Sequence, residues 1–384
     1  MTEIYLDNAA TTKPCAEVID AMTSSMRIGY YNPSALYKGA AEAEKALEAA
    51  REAIAAPLHM KQENVIFTSG GTESDNLGIL GHLKTCRGGG TVLYSGAEHA
   101  AVRNACLETE NMGFEVRQIP LDGIGLPQMD ALEELLGENV RLIAVMQVSN
   151  ETGAVLPLEQ IVALRDRLAP SAAIHVDGIQ GYLRLPLDMR KLNIQSYAVS
   201  AHKVLGPKGV GALIVQDKYK IAPLFFGGGH QRGLRPGTDN TVGAAGFAAA
   251  VKAYPASAAK TMTALKAETA RLLQAELPAM QIIGPQPGDA NSAPHILTIA
   301  LPPVKAETMV HALESEGVIV GTGSACSSKS RKYSVALSCM NVPKTLMDSA
   351  IRISFSPLNT MDEVRLAAKA IQKQYELLRK FTRR

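Results

Sequence analysis

Two runs, Leu142–Val148 (LIAVMQV) and Ala173–Val176 (AIHV), carry the clearest signal for the fold class of this chain. Both runs are short, apolar and rich in β-branched residues, which is typical of buried strands. The stretch between them, Leu158–Leu168, has the period of a helix. Alternation of strand, helix and strand favours a mostly parallel sheet with helices on both faces. Ligands of such sheets bind at the carboxyl ends of the strands, so we expect the polar residues of a functional site there.

The same alternation extends to both sides of this stretch and predicts further strands and another helix. The predicted strands are Asn64–Phe67, Val92–Tyr94, Val116–Ile119, Tyr197–Val199 and Gly211–Val215, and the helix is Ala100–Met112. Together with the first two runs, they predict an α/β fold with a mostly parallel seven-stranded sheet.

Beyond a Gly-rich loop at Gly227 the pattern changes to that of a smaller α+β unit. Helices are predicted at Thr241–Ala253 and Ala258–Leu277, and residues 284–294 predict a loop because they are rich in Gly, Pro and Asn. The elements predicted after that loop are Ile296–Leu301 (strand), Ala306–Glu316 (helix), Val318–Val320 (strand), Ile351–Phe355 (strand) and Asp362–Leu378 (helix). We therefore predict a large domain of residues 13–255 and a small domain formed by residues 1–12 and 256–384.

Length and composition agree with two domains in a globular protein. A chain of 384 residues exceeds the size at which single cores stop growing. The formal net charge of +2 does not favour direct binding of nucleic acid. Neither a secretory leader nor an apolar run of membrane-spanning length is apparent, so we expect a cytoplasmic protein that does not enter the membrane. The 5 cysteines are widely spaced and odd in number, which argues against a disulfide framework and a metal site.

A lysine just past a predicted strand is the first candidate for chemistry. Within Ser200–Gly209 (SAHKVLGPKG), Lys203 is placed to form a Schiff base, whereas Lys208 is interpreted as a solvated surface lysine. Upstream, Asp177 ends a buried strand, where a carboxylate could pair with the protonated nitrogen of a pyridine cofactor. The alternative, that Asp177 caps the next helix, stays open.

The segment Thr68–Asn76 (TSGGTESDN) is the second candidate, because it turns from a strand through glycines into a helix. Glycines let the backbone approach an anion, and a helix N-terminus offers N–H groups and a positive dipole end. The segment matches neither common nucleotide-binding glycine pattern. It predicts a phosphate site for a monophosphate cofactor.

The third candidate is a thiol among small residues. Cys326 lies within Gly321–Ser328 (GTGSACSS), and a basic, polar stretch follows it. An unreactive cysteine is usually buried among large apolar residues, which is how we interpret the other four. The small neighbours of Cys326 indicate a reactive thiol in a loop.

These segments together resemble the NifS/IscS-like cysteine desulfurases, which are class-V aminotransferase-like enzymes dependent on pyridoxal 5'-phosphate (PLP). The chain is similar to the group in which the cysteine lies in a Gly-Ser-Ala-Cys loop. The resemblance runs nearly end to end, and its other segments are Tyr5–Thr12 (YLDNAATT), Asn32–Ser34 (NPS), Ala97–His99 (AEH), Asn150–Gly153 (NETG), Arg235–Thr238 (RPGT) and Ile351–Ser354 (IRIS).

The resemblance implies a homodimer of PLP fold type I, the aspartate-aminotransferase-like fold, with Lys203, Cys326 and His99 as catalytic residues. The resemblance also implies the cofactor contacts. PLP would be attached to Lys203 and stacked on His99, with its ring nitrogen paired to Asp177. Its phenolic oxygen would accept a bond from Gln180, and Asn150 would make a further contact. The implied phosphate contacts come from Gly71, Thr72, Ser200, His202 and the partner's Thr238.

The resemblance also implies that Asn150 and Arg352 bind the substrate carboxylate, for which the planar guanidinium suits Arg better than Lys. For Arg352 and His99 the alternative is an ordinary surface residue.

The activity implied is conversion of L-cysteine to L-alanine, with the sulfur held on Cys326 as a persulfide and passed to an acceptor protein. Another PLP reaction, such as selenocysteine lysis or transamination, is one alternative, since a fold hosts many reactions. A catalytically inactive sulfur carrier is the other, although it does not need Lys203 and Asp177. The acceptor stays open among an iron–sulfur scaffold, a tRNA-thiolating enzyme and a thiamin-pathway carrier.

Two departures from the family pattern concern Tyr37, which stands where many members have His, and the turn Ser338–Asn341, which often ends in Gly.

Residues 322–334 are small and polar before Tyr333, so they bury little area to offset the entropy of ordering. We expect a poorly ordered loop there, with Cys326 too far from the cofactor for direct attack in the resting state.

Overall fold

The computed structural model describes residues 3–322 and 333–381. Its larger sheet has 7 strands within these residues, in the order β2-β8-β7-β6-β5-β3-β4. The strands are β2 (Val65–Thr68), β3 (Gly90–Ser95), β4 (Phe114–Ile119), β5 (Val140–Met146), β6 (Ala173–Asp177), β7 (Ser196–Ser200) and β8 (Gly211–Val215). Strand β8 runs antiparallel to both of its neighbours, and β4, β3, β5, β6 and β7 are parallel. The predicted mostly parallel seven-stranded sheet is confirmed.

The helices of the described residues cover this sheet and a second one. They are α1 (Ala16–Arg27), α2 (Lys38–Ala55), α3 (Gly71–Leu83), α4 (Ala100–Glu108), α5 (Met129–Leu135), α6 (Leu158–Leu168), α7 (Thr241–Ala253), α8 (Ala258–Glu276), α9 (Ala306–Ser315), α10 (Val335–Cys339), α11 (Lys344–Met347) and α12 (Met361–Leu378). Every position of β5 to β8 except Arg141 is buried, as expected for strands with helices on both faces. None of the described helices is both long enough and apolar enough to cross a membrane.

The second sheet has 5 strands within the described part of the chain, in the order β1-β11-β12-β10-β9. They are β1 (Ile4–Leu6), β9 (Gln281–Ile282), β10 (Ile296–Ala300), β11 (Val318–Thr322) and β12 (Ala350–Ser354). Helix α12 begins sharply because Thr360 and Glu363 form a capping box: the Glu363 N–H donates to Thr360 Oγ1 (3.2 Å), and the Thr360 N–H donates to Glu363 Oε2 (2.8 Å).

Each sheet has its own apolar core. One core joins helix α2 and the large sheet, and the other joins β1, α8, α9 and α12 with the small sheet. Strand β1 reaches the second core because it pairs in parallel with β11 at the other end of the chain. We propose that the two cores correspond to the domains expected from the sequence, 13–255 and 1–12 with 256–384.

Candidate active site

A cavity of about 540 Å³ lies at the carboxyl ends of the parallel strands. It brings together residues that are far apart in the sequence, as expected because ligands of such sheets bind at the carboxyl ends of the strands. The predicted site residues in its lining are Gly71, Thr72, His99, Asn150, Asp177, Gln180, Ser200, His202, Lys203 and Arg352. Thr238 is exposed and lines neither this cavity nor the adjoining one within the described chain. Cys326 lies outside the described residues, and so does most of the loop predicted to be poorly ordered.

The adjoining cavity has the features of a phosphate site. It is lined by Gly71 and Thr72 at the N-terminus of α3, and by Ser200 at the end of β7. The Ser200 hydroxyl is buried and has no hydrogen-bond partner among the described residues. A side chain at Gly71 would place Cβ 2.1 Å from Ile179 Cδ1, so any larger residue would displace the Ile179 side chain. A free hydroxyl beside helix N–H groups fits the phosphate of PLP.

His202 and Lys208 also line the phosphate cavity. His202 Nδ1 lies 3.1 Å from Thr11 Oγ1. Burial, helped by the positive charges of Lys203 and Lys208, lowers the pKa of His202 to about 4, so the ring is neutral at physiological pH. Lys208 is exposed, as predicted, but the sequence interpretation missed that it borders this cavity. It offers a positive charge to a phosphate group there.

Asp177 ends β6 and is buried, with an exposed fraction of 5%. Its Oδ1 accepts the N–H of Ile179 at 2.9 Å. The described residues between β6 and β7 form turns and no helix, so the alternative that Asp177 caps a helix is wrong. Burial raises the pKa of Asp177, while the nearby His99 and Lys203 lower it. A buried carboxylate is stabilised by a cationic partner, and the protonated ring nitrogen of PLP would supply one.

Lys203 lies in a short 3₁₀ turn, Ala201–Lys203, directly after β7. Its Nζ donates to the carbonyl oxygens of Ala9 (2.8 Å) and Ala10 (2.7 Å). Burial, and then the positive charges of Arg352 and Arg184, lower the pKa of Lys203 to about 8. The amine is therefore partly neutral near physiological pH, as attack on an aldehyde requires.

His99 is the N-cap of α4, since its Nδ1 accepts the N–H of Ala101 at 3.1 Å. The alternative of a surface histidine is wrong, because His99 lines the cavity and burial lowers the pKa of its ring. With Nδ1 accepting, the hydrogen of the neutral ring sits on Nε2. His99 can therefore take up a further proton only at Nδ1, and only by giving up the cap bond.

Gln180 is held by two contacts that the sequence interpretation missed. Its Nε2 donates to the carbonyl of Ala9 at 2.9 Å, and its Oε1 lies 3.1 Å from Nε2 of the buried His295. These contacts fix which way the amide group points. A backbone carbonyl leaves no signal in the sequence, and His295 lies in a segment that carries no site motif.

Arg352 is buried in β12, with an exposed fraction of 3%, so the surface alternative is wrong. Its Nη2 donates to Asp7 Oδ1 (2.9 Å) and its Nη1 to the carbonyl of Asn150 (2.8 Å). Its Nε is buried and has no hydrogen-bond partner among the described residues. A Cβ at Gly321 would lie 2.5 Å from Asp7 Oδ1, so this glycine makes room for the ion pair. The remaining N–H groups suit a small carboxylate.

Further residues of the cavity were missed at the sequence level. Glu151 lines it, and burial raises the pKa of Glu151 to about 7. Its Oε2 is buried without a hydrogen-bond partner in the described chain, while its carboxyl group interacts with Ser334, close to where the description resumes. Tyr333 and Arg103 also line the cavity. The Asn150–Gly153 motif signalled this place, but only Asn150 was given a role.

The two departures from the family pattern lie outside the lining of this cavity. Tyr37 is exposed and packs its ring edge against Tyr31, with ring centroids 5.8 Å apart. Cys339, in the unusual turn, accepts a hydrogen bond from Gln118 Nε2 at 3.2 Å.

Comparison with known proteins identifies the family of the chain. Residues 4–366 match the family described as aminotransferase class-V. The chain is 33% identical over 381 residues to the cysteine desulfurase IscS of Dictyoglomus turgidum, covering 98% of this chain and 95% of that protein. It is 34% identical to a putative cysteine desulfurase, IscS 1, of Bacillus subtilis, covering 97% and 98%. A solved NifS-like protein superposes with a TM-score of 0.91 at 31% identity, covering 98% of this chain and 100% of the other.

The chain belongs to the class-V aminotransferase family, and within it to the NifS/IscS-like group. The resemblance stated from the motifs is thereby confirmed. The PLP fold type I and the dependence on PLP that it implied are confirmed with it.

Proposed function

We propose that this protein is a PLP-dependent cysteine desulfurase that converts L-cysteine to L-alanine, holds the sulfur on Cys326 as a persulfide and passes it to an acceptor protein. The observation that carries the proposal is the cavity in which Lys203, Asp177 and His99 meet the buried Arg352. The names of the relatives support it, since they describe cysteine desulfurases.

The residues that would hold PLP are those at the strand ends. Lys203 would bind its aldehyde carbon, Asp177 its ring nitrogen, and Thr72, Ser200 and His202 its phosphate. His99, Gln180 and Asn150 would contact the ring and its phenolic oxygen, and Gly71 would let the backbone approach. When bound, PLP withdraws electrons from the bonds around the substrate Cα.

The residues of the chain then orient the substrate and move protons. Arg352, held by Asp7 and the Asn150 carbonyl, binds the carboxylate of cysteine through its remaining N–H groups. The amine of Lys203, once released, takes the Cα proton. The Cys326 thiolate forms a bond to the substrate sulfur, and the Cβ–S bond breaks with its electron pair left on carbon. Protonation of Cβ and return of a proton to Cα give alanine, so cysteine and one thiol yield alanine and one persulfide with no added oxidant.

Product analysis tests the proposal directly. Purified protein incubated with L-cysteine is expected to yield alanine and a persulfide on Cys326, detected by mass spectrometry of the intact chain and its peptides. A keto acid in place of alanine would instead indicate transamination. Turnover of selenocysteine alone would indicate the lyase alternative, and no product from either amino acid would favour an inactive carrier.

Arg352→Lys is expected to raise the KM for cysteine by about 10- to 100-fold, because a charge-assisted hydrogen bond is worth about 1.5–3 kcal/mol. Lysine is a single point charge and cannot serve Asp7, the Asn150 carbonyl and the substrate together. Steady-state kinetics give the KM, and Arg103→Lys, at the same cavity, is the matched control. An unchanged KM in the Arg352 variant with a raised KM in the control would place the carboxylate elsewhere.

We also propose a homodimer. Large apolar side chains are exposed on two segments, at Ile28, Tyr30 and Leu36 and at Phe225 and Phe226. The segments are neighbours, because residues 33–34 and 229–232 line one cavity. Exposed apolar surface of this kind marks an interaction site, and a second copy would also bring Thr238 to the phosphate cavity.

The dimer is expected to persist at nanomolar concentration in light scattering, because obligate interfaces bury about 2,000 Å² or more. Thr238→Ala should leave the dimer intact but weaken PLP binding about tenfold or more, through the loss of one hydrogen bond to a charged group. Thr263→Ala, at an exposed position of α8, is the control. A fully active monomer would contradict the interface.

Three kinds of protein are candidates for the sulfur acceptor. An iron–sulfur scaffold, a tRNA-thiolating enzyme and a thiamin-pathway carrier all stay open. We propose a cytoplasmic location, which is supported by the free thiols of Cys15, Cys86, Cys106 and Cys339 among the described residues.

A further inference from the structure

Arg184 is a fully buried arginine behind the cavity, with an exposed fraction of 3%. It does not line the cavity, and no motif of the sequence pointed to it. Its Nη1 donates to the carbonyl of Gln180 at 3.2 Å, and its Nη2 donates to the carbonyl of Lys203. One guanidinium therefore ties together the backbones of two residues of the site that come from different strand ends.

The charge of Arg184 is not neutralised by an ion pair. No carboxylate in residues 3–322 or 333–381 lies within 4.0 Å of it, and its Nε has no hydrogen-bond partner in that part of the chain. Arg165, with an exposed fraction of 1%, shows the usual arrangement of a buried arginine. Its Nε pairs with Asp166 at 2.6 Å, and its other nitrogens donate to three oxygens. The contacts of Arg184 are with neutral groups, the two carbonyls and the Tyr254 side chain. A buried cation with no opposite charge beside it costs several kcal/mol, so we expect Arg184 to have a role beyond stability.

Arg184 contacts Lys203 through the backbone carbonyl of that residue, so its charge lies beside the same residue whose amine points into the site. The Lys203 amine is bonded to two carbonyl oxygens and to no carboxylate in the described chain. The charged groups acting on it are Arg352 and Arg184, which oppose its protonation, and Asp177 and Asp7, which favour it. Burial, together with the positive charge of Lys203, lowers the pKa values of His99, His202 and His295, and Arg184 also acts on His295.

We propose that Arg184 is a positioning residue for the reaction: it clamps the backbones of Lys203 and Gln180, and its unpaired charge keeps the Lys203 amine in its neutral, nucleophilic form. The reaction role rests on the proposed function, whereas the effect on the amine does not. Loss of the charge should raise the pKa of Lys203 from about 8 toward its ordinary value.

The test titrates Lys203 in the full-length protein after PLP has been removed with hydroxylamine. Acetic anhydride labels neutral amines, and mass spectrometry of the Lys203 peptide across pH gives the midpoint. Arg184→Gln, which keeps a hydrogen-bond donor and removes the charge, is expected to raise the midpoint by about one pH unit. Arg165→Gln is the matched control, because it also removes a buried guanidinium but should leave the Lys203 midpoint unchanged. A folded Arg184→Gln protein with the wild-type midpoint overturns the charge role.

A second variant separates the clamp from the charge and serves if Arg184→Gln does not fold. Arg184→Lys keeps a cation but cannot donate to two carbonyls in a fixed fork. It is expected to keep the midpoint and to slow the rebinding of PLP, followed by its absorbance. An unchanged rebinding rate overturns the clamp. Neither measurement uses turnover, so a protein that fails to desulfurate cysteine can still show both effects.

Discussion

Lys203→Ala is expected to abolish desulfuration of cysteine, with a loss of at least about a thousandfold in kcat, because the variant loses both the attachment point of PLP and the base for Cα. Among the described residues that line the cavity of about 540 Å³, there is no lysine other than Lys203. The visible absorbance of bound PLP should disappear together with the activity. Absorbance of the purified protein and alanine release are the two measurements.

Lys266 offers a matched control for Lys203. Burial lowers its pKa to about 8 as well, and its Nζ donates to Ser292 Oγ (2.6 Å) and to the Ala293 carbonyl (2.9 Å), away from the cavity lining. Lys266→Met should cost stability but keep the PLP absorbance. If Lys203→Ala still turned over cysteine near the wild-type rate, Lys203 would not be the residue that carries PLP.

Cys326→Ser is expected to stop sulfur transfer completely while leaving PLP bound. A hydroxyl is a far poorer nucleophile toward sulfur than a thiolate. The described residues on both sides of the undescribed segment border the cavity: Gly321 lies beside Asp7 and Arg352, and Tyr333 and Ser334 are part of the lining. The variant should show a normal resting spectrum, a spectral change on addition of cysteine, and no persulfide by mass spectrometry.

Cys339→Ser is the control for the Cys326 variant, since Cys339 is a described free thiol of the same region. It should retain persulfide formation. Alanine release from Cys326→Ser at the wild-type rate, with an external thiol present, would mean that the nucleophile is another residue.

The strands of the large sheet could be predicted from the sequence to within two residues at either end, because most of them are short apolar runs that are buried on both faces. The edge strand β4 was found although its middle positions are exposed or half-buried. Strand β1 was missed, since three residues, Ile4–Leu6, carry no period of their own and are held by pairing with β11. Helices α1 and α2 were also missed. In the predicted smaller unit, β10, β11 and β12 were found because they are apolar runs like those of the large sheet.

The candidate site could be predicted where a side chain and its strand end coincide, as at Asp177, Ser200 and Lys203. The supporting contacts could not. The carbonyls of Ala9 and Ala10 hold Lys203 through the backbone, which any residue provides. Arg184 acts through carbonyls as well, so its position has a meaning only in three dimensions.

The pairing of β1 with β11 also has a consequence for the order in which the protein is made. Residues Asp7 and Ala9 leave the ribosome early, yet the side chains that fix this segment, those of Arg352 and Ser354, are synthesised near the end. Contacts so distant in sequence are slow to close. Capture of the cofactor in its final geometry is therefore a late event, and a nascent chain that stops before β12 is expected to have its large sheet but no finished pocket.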